Sequence, residues 1–197
     1  MAAAAPLPAT AAQLFELRAK LEERCAAADD AADVAALLAA APPRDSELRR
    51  FAANASGNLD KASHLYLKMR RWRAENKVDG ILSEGGAEER ERANLQHMTY
   101  YKGLRDKRGR PLIVWKTGAV KARALMEANG NEGVLRNHIY CKEGIMAQAR
   151  AEIEAAAAAD GEPGQSTEEM VVICDLEGLG LHVSTQAIPH FILSFYG

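Results

Sequence analysis

The stretch Met170–Leu181, MVVICDLEGLGL, decides the class of fold that this sequence predicts. It opens with five apolar residues, Met170–Cys174, a run typical of a strand that is buried on both faces of a sheet. A turn with two glycines follows Asp175, and the residues beyond it predict a helix from Ser184 toward Phe195. A strand, a polar turn and a helix in this order are typical of an α/β sheet, in which ligands bind where the strands end.

The composition excludes several classes of protein. The chain has 197 residues, 48% of them hydrophobic, which is enough for a substantial core, and a net charge of −2, which argues against a nucleic-acid-binding protein. The cysteines, Cys25, Cys141 and Cys174, form no CxxC pair, so neither a disulfide framework nor a zinc site is indicated. Met1–Ala12 lacks the features of a signal peptide, and no apolar run reaches the length of a membrane span. We expect a soluble, cytoplasmic protein.

The first part of the chain predicts a helical module over residues 10–82, after a disordered start at residues 1–9. Thr10 and Gln13 form a capping-box pattern before a helix that reaches about Ala28. Three further helices are expected, with Asp45 or Ser46 capping the third and Asn58 capping the fourth. The residues expected on the buried side of the first helix are Leu14, Leu17, Leu21 and Cys25.

The second part predicts an α/β domain over residues 100–197, reached through a connector helix at residues 83–99. Its first strand is expected at Leu112–Trp115, after a basic turn at Lys102–Arg110. A short helix near Val120–Ala128 and a long one at Glu132–Ala159 then lead to the strand at Met170. The long helix is expected to bury one face, formed by Leu135, Ile139, Lys142, Met146, Ala149 and Ile153.

Motifs for catalysis are scarce. The histidines lack metal-ligand spacing, and the two glycines after Asp175 do not form a phosphate-binding loop. Asp175 stands at a strand end, where it could be catalytic, but such an aspartate more often caps its own turn. Glu177 is most simply a solvated charge. We therefore predict no catalytic residue, no metal and no cofactor.

Two sets of residues are candidates for binding. The basic turn could attract the phosphates of lipid headgroups or of nucleic acid, although a solvated hairpin explains it equally well. Its candidates for membrane or headgroup contact are Lys102, Arg105, Lys107 and Arg108. Alternate apolar residues of the strands could line a pocket, although core packing is the commoner role of such a face. The pocket candidates are Tyr101, Ile113, Trp115, Met170, Val172 and Cys174.

Several segments, in order along the chain, resemble the CRAL-TRIO lipid-binding family, which includes the yeast-type phosphatidylinositol/phosphatidylcholine transfer proteins. Gly57–Ala62, GNLDKA, and the stretch from Trp72 to Leu82 are similar to the helical module of that family. Asp106–Pro111 is similar to the entry into its lipid domain, and Val172–Gly178 is similar to its central strand and turn.

The resemblance implies an α/β fold in which a helical N-terminal lobe precedes an incomplete CRAL-TRIO lipid-binding lobe. It implies that the protein binds a hydrophobic lipid, phospholipid or similar, in an apolar pocket and exchanges or presents it at membranes without catalysis. The implied partners are a lipid ligand and, transiently, a membrane surface, with no nucleic acid. The implied location is cytoplasmic, with peripheral contact to membranes.

Three departures from the family pattern qualify this expectation. Ala55 and Ser56 stand where phosphatidylinositol-binding members carry an Arg-Lys pair. Met170 and Val172 stand where the transfer proteins offer hydroxyl groups to a phosphocholine headgroup, which favours a more apolar ligand or another headgroup. The sequence stops at Gly197, where the family continues with further strands and a gate helix, so we expect a C-terminally truncated member. A regulatory module that has lost its pocket and contacts a protein partner is the alternative, and an α/β enzyme that uses Asp175 or Glu177 is a distant third.

Overall fold

A computed structural model describes residues 9–160 and 168–179. The predicted helix at Ser184 therefore lies outside the described residues. The helices are α1 (Ala11–Ala26), α2 (Ala31–Ala40), α3 (Asp45–Asn54), α4 (Leu59–Glu75), α5 (Ala87–Leu95) and α6 (Ala122–Asp160). The strands are β1 (Tyr100–Arg105), β2 (Pro111–Trp115) and β3 (Val171–Cys174), and short 3-10 helices cover Val78–Ser83 and Thr117–Ala119. The chain thus combines a helical N-terminal region with a small mixed sheet, which confirms the predicted α/β class.

The chain divides into two compact units. Among the described residues, the helical unit comprises 9–79, 152–160 and Glu168, and the sheet unit comprises 80–151 and 169–179. Each unit draws on separate stretches of sequence, because the end of α6 belongs to the helical unit.

The helical unit follows the predicted pattern closely. Thr10 and Gln13 form the expected capping box at α1, and the Asn58 side chain accepts a hydrogen bond of 2.9 Å from the backbone N–H of Lys61 at the start of α4. The apolar stripe of α1 is buried, as expected. The capping prediction for α3 was wrong: its N-cap is Arg44, whose side chain makes no capping bond, because the helix already begins at Asp45.

The side chain of Glu168 is a buried carboxylate of the helical unit. The side chain of Glu168 is 1% exposed and accepts hydrogen bonds of 2.8 and 3.1 Å from Arg44 and one of 2.9 Å from Ser46. Arg50 donates a further bond to its backbone oxygen. Since an unpaired buried carboxylate would be costly, these donors are what allow Glu168 to be buried as an anion.

The sheet unit contains a strand that the sequence analysis missed. The segment Tyr100–Arg105, predicted to lead into and form a basic turn, is strand β1 and pairs with β2 in antiparallel fashion. A connection of five residues, Asp106–Arg110, joins the two strands, so the predicted first strand is the second. The signal was present in the glycine and aspartate of a short connection between two apolar segments, which favours a hairpin.

The strand that contains Val171–Cys174 also differs from its prediction. It runs parallel to β2, as the crossover through α6 requires, but within the described residues it is an edge strand of the order β1-β2-β3. Its side chains are half-buried or exposed, whereas a strand buried on both faces was predicted. The middle strand of the described sheet is β2.

The α6 helix covers one face of this sheet. It is interrupted at Gly130, which has φ of 64° and ψ of 173°, so that the predicted short and long helices are both confirmed. The predicted face of the long helix is buried at Ile139, Met146 and Ala149. The α6 residues that share a core cluster with the sheet are different ones: Leu125, Val134, Cys141 and Ile145.

Candidate functional site

Strand pairing divides the sheet residues between two faces. Because successive side chains of a strand point to opposite sides and paired residues point to the same side, the register assigns each residue to a face. We name the side that packs against α6 the core face; it comprises Tyr100, Ile113, Trp115, Val172 and Cys174. We name the other side the open face; it comprises Tyr101, Leu104, Leu112, Val114, Val171 and Ile173.

The core face holds most of the predicted pocket residues. Ile113 is fully buried and Trp115 nearly so, and Met170 and Val172 pack against the same cluster. The Trp115 ring lies 4.6 Å from the ring of Tyr100 and 5.2 Å from that of His138, centroid to centroid. Side chains in such contact have little surface left for a ligand. The pocket on the core face stays a prediction, and the packing favours the other face of the sheet as the candidate binding surface.

The open face is apolar and exposed. Tyr101 is 52% exposed, Leu104 43% and Ile173 47%, while Leu112, Val114 and Val171 are half-buried. Soluble proteins seldom leave several neighbouring apolar side chains in contact with water unless the patch binds something. Of the predicted pocket residues only Tyr101 lies on this face. The other open-face residues were not among the predicted pocket candidates, because in β2 and β3 both alternating sets are apolar and the sequence does not show which set faces α6. These residues are Leu104, Leu112, Val114, Val171 and Ile173.

Cys174 is the remaining predicted pocket residue. It pairs with Trp115 in the register but is exposed at the end of β3. Cys141, by contrast, is buried beneath β1, and burial raises the pKa of its thiol to about 11. A thiol with so high a pKa remains protonated and unreactive at neutral pH.

A polar cluster lies at the β1 edge of the core face and consists of Glu91, Tyr100, Lys102 and Cys141. The carboxylate of Glu91 accepts hydrogen bonds of 2.6 Å from the Tyr100 hydroxyl and 2.5 Å from the Lys102 ammonium, and the Tyr100 hydroxyl lies 3.0 Å from the Cys141 sulfur. Burial alone would raise the pKa of Glu91, but the hydrogen bonds from Lys102 and Tyr100 outweigh it and lower that pKa below 4.5. Lys102 is thus engaged in an ion pair and is poorly placed to bind a headgroup.

The basic turn is a hairpin tip with several internal hydrogen bonds. The Asp106 carboxylate accepts hydrogen bonds from the backbone N–H groups of Arg108 and Arg110, at 2.9 and 2.8 Å, and also binds the Arg110 guanidinium. Arg105 donates to the backbone oxygen of Gly109 at 2.8 Å. Lys107 and Arg108 are exposed, and in the part of the chain that the structure describes their side chains have no ionic partner.

The turn after β3 is held by its own aspartate. Asp175 accepts a hydrogen bond of 3.0 Å from the backbone N–H of Glu177, which confirms the capping interpretation, and Lys116 lies 3.7 Å from its other oxygen. Gly118 packs so closely on this turn that a Cβ atom there would lie 2.0 Å from the backbone oxygen of Glu177. These contacts fix the end of β3 and do not assemble a nucleophile with a base.

The described residues contain neither a cluster of metal-ligating side chains nor a membrane-spanning helix. Within 9–160 and 168–179, no group of three or more His, Cys, Asp or Glu side chains could hold a metal ion. None of the helices in these ranges is both long and apolar enough to cross a bilayer.

Comparison with known proteins identifies several relatives, among them two transfer proteins and a cytosolic factor. No protein-family model matches the chain. It is 33% identical over 101 residues to one phosphatidylinositol/phosphatidylcholine transfer protein of Arabidopsis thaliana and 30% identical over 101 residues to another. These alignments cover 50% of this chain but only 16% and 17% of the relatives. The SEC14 cytosolic factor of Eremothecium gossypii is 26% identical over 146 residues, which is 74% of this chain and 45% of the relative. The chain therefore spans less than half the length of these relatives.

Proposed function

We propose that this chain, which belongs to the CRAL-TRIO family, binds one hydrophobic lipid, phospholipid or similar, on the open face of its sheet. In this proposal the protein exchanges or presents that lipid at membranes, in transient contact with the bilayer, and performs no covalent chemistry. It works in the cytoplasm and on membrane surfaces.

The observation that carries the proposal is the exposure of the open face. Three of its apolar side chains, Tyr101, Leu104 and Ile173, are each about half exposed. Covering them with acyl chains would remove apolar surface from water, at about 25 cal/mol for each Å² buried. The open face carries no charged side chain that a hydrocarbon ligand would have to desolvate.

The relatives support the chemical class of the ligand. Two of them are named as phosphatidylinositol/phosphatidylcholine transfer proteins, and we extend phospholipid binding to this chain by analogy. Met170 and Val172 stand where the family resemblance places the headgroup contacts. Both side chains pack against the core cluster. Their neighbours on the open face, Val171 and Ile173, are also apolar, so we propose that this face holds acyl chains and not the headgroup.

The test is native mass spectrometry of the purified chain, which detects a co-purifying lipid, with Ile173→Asp as the variant. A carboxylate on the open face would have to be desolvated by an acyl chain, so we expect lipid occupancy to fall at least tenfold, about 1.4 kcal/mol or more. Phe15→Asp is the matched control, because Phe15 is 78% exposed on α1 in the helical unit. It should leave the occupancy unchanged.

Two results would overturn the proposal. A wild-type chain that carries no lipid, even after incubation with phospholipid vesicles, would favour the alternative of a protein-interaction module without lipid transfer. Equal occupancy in wild type and Ile173→Asp would place the ligand elsewhere. Circular dichroism of both variants checks that the fold is retained, which we expect because both positions are exposed.

A further inference from the structure

We infer that the hairpin of β1 and β2 is a preformed docking element for an anionic bilayer, with Lys107 and Arg108 contacting lipid headgroups. During lipid exchange, when the open face is uncovered, Leu104 and Tyr101 contact the interfacial layer beneath them. This inference rests on the proposed function, since a protein that exchanges lipid must meet a bilayer. It adds which part of the chain makes the contact and which lipid charge it recognises.

The first support is the fixed shape of the hairpin tip. Besides the two backbone groups bound by the Asp106 carboxylate, the Asp106 N–H donates to the Arg110 oxygen at 3.0 Å, and the Gly109 N–H donates to the Asp106 oxygen at 3.0 Å. Gly109 has φ of 78°, a conformation that glycine adopts at little cost. A tip that is held in this way loses little conformational entropy when it binds a surface.

The second support is the distribution of charge at the tip. Asp106 is the one acidic residue of the hairpin, and its carboxylate is committed to Arg110 at 2.7 and 2.8 Å. The charges of Lys107 and Arg108 are therefore not offset by a close carboxylate of the described residues. The whole chain has a net charge of −2, so this tip is a local positive site on a protein that a bilayer of anionic lipids would otherwise repel.

The third support is the apolar surface next to the cations. Leu104 lies two residues before Asp106, and Tyr101 lies on the same open face. Tyrosine, with an apolar ring and a polar hydroxyl, is suited to the layer between headgroups and acyl chains. A bilayer offers negative charge and apolar depth together, whereas a soluble polyanion or a nucleic acid offers only the charge. The combination therefore favours a lipid surface.

Expected magnitudes follow from the electrostatics of anionic leaflets. One Lys or Arg near such a surface strengthens binding about fivefold, so removal of both Lys107 and Arg108 should weaken it roughly 30-fold. The attraction should also weaken with salt, because the screening length shrinks from about 10 Å at 0.1 M to about 3 Å at 1 M ionic strength.

The experiment is cosedimentation of the full 197-residue chain with vesicles of phosphatidylcholine alone or with added phosphatidylserine. The test variant is Lys107→Ala/Arg108→Ala. The control is Lys61→Ala/Lys68→Ala, which removes the same charge from exposed positions on α4 that have no ionic partner in the described ranges. We expect wild type and control to bind the phosphatidylserine vesicles in a salt-sensitive manner and the test variant to lose that binding.

Three results would overturn the inference: binding to phosphatidylcholine alone as strong as to the mixture, unchanged binding by the test variant, or equal losses in the test variant and the control. Native mass spectrometry of the same samples keeps the two proposals separate. If the test variant carries lipid and binds the vesicles as well as wild type does, only the docking element is refuted. Docking that depends on Lys107 and Arg108 in a chain without bound lipid would refute lipid carriage and leave the docking element standing.

Discussion

The two faces of the sheet are made of similar residues and have different environments. Val172 packs into the core cluster, whereas Ile173, the next residue, is 47% exposed. The same contrast separates Ile113 from Val114 in β2. Both members of each pair are β-branched aliphatic residues, so chemistry alone does not distinguish a structural position from a candidate ligand position. What distinguishes them is which side of the strand meets α6.

The largest expected effect is a loss of stability on the core face. Trp115→Ala removes an indole that is 6% exposed and stacked near Tyr100 and His138, so we expect the free energy of unfolding to fall by about 3–5 kcal/mol. Tyr101→Ala, on the open face, should cost less than about 1 kcal/mol. Urea denaturation followed by circular dichroism measures both. Similar losses would remove the distinction between the faces.

A smaller loss is expected where β3 is fixed against β2. Gly118 donates a backbone hydrogen bond of 3.0 Å to the Asp175 oxygen and approaches Glu177 too closely to admit a Cβ atom. Gly118→Ala should therefore destabilise the chain by about 1–3 kcal/mol, because the turn must shift. Gly80→Ala is the control, since a Cβ atom at Gly80 meets nothing within 4 Å. A thermal melt of each variant would show whether this contact helps to hold the register that separates Val172 from Ile173.

The smallest expected loss of stability is at Glu91, in the polar cluster at the edge of the core face, and this loss depends on pH. The pKa of Glu91 is lowered in the folded state, so its contribution to stability is present above pH 4.5 and is lost as the pH falls through the folded pKa. Glu91→Gln should cost about 1 kcal/mol at neutral pH and flatten the acid side of the stability profile. Glu88→Gln, at an exposed position of α5, should leave the profile as in wild type. Identical profiles for Glu91→Gln and wild type would contradict this role.

The helical unit was the easier part to predict. Local signals indicate its helices, such as the capping box of Thr10 and Gln13 and the cap of Asn58. Apolar residues that recur every turn indicate them as well. The cap of α3 was mispredicted because neighbouring polar residues at Asp45 and Ser46 offer alternative caps, and the choice depends on contacts elsewhere. Ser46 instead donates to Glu168, which is 122 residues distant in sequence.

The sheet unit was harder, for a physical reason. Strand β1 was overlooked although its hairpin turn was visible, because the basic residues within Tyr100–Arg105 were interpreted as part of the turn. The pocket candidates were chosen by alternation, which identifies the residues that share a face but not the face that is covered. Tyr101 lies on the open face, while Ile113, Trp115, Met170 and Val172 lie with the core cluster.

By itself, the sequence determined the α/β class, the order of most elements and the resemblance to CRAL-TRIO proteins, because these depend on local propensity and on motifs in a fixed order. The tertiary structure decided which face of the sheet α6 covers and how Asp106 and Glu91 engage Arg110 and Lys102. The first depends on residues that are distant in sequence, and the second on how the folded backbone orients side chains that are closer in sequence. Lys107 and Arg108 stand out among the cations of the hairpin for this reason, since a row of basic residues does not reveal which charges the fold has already paired.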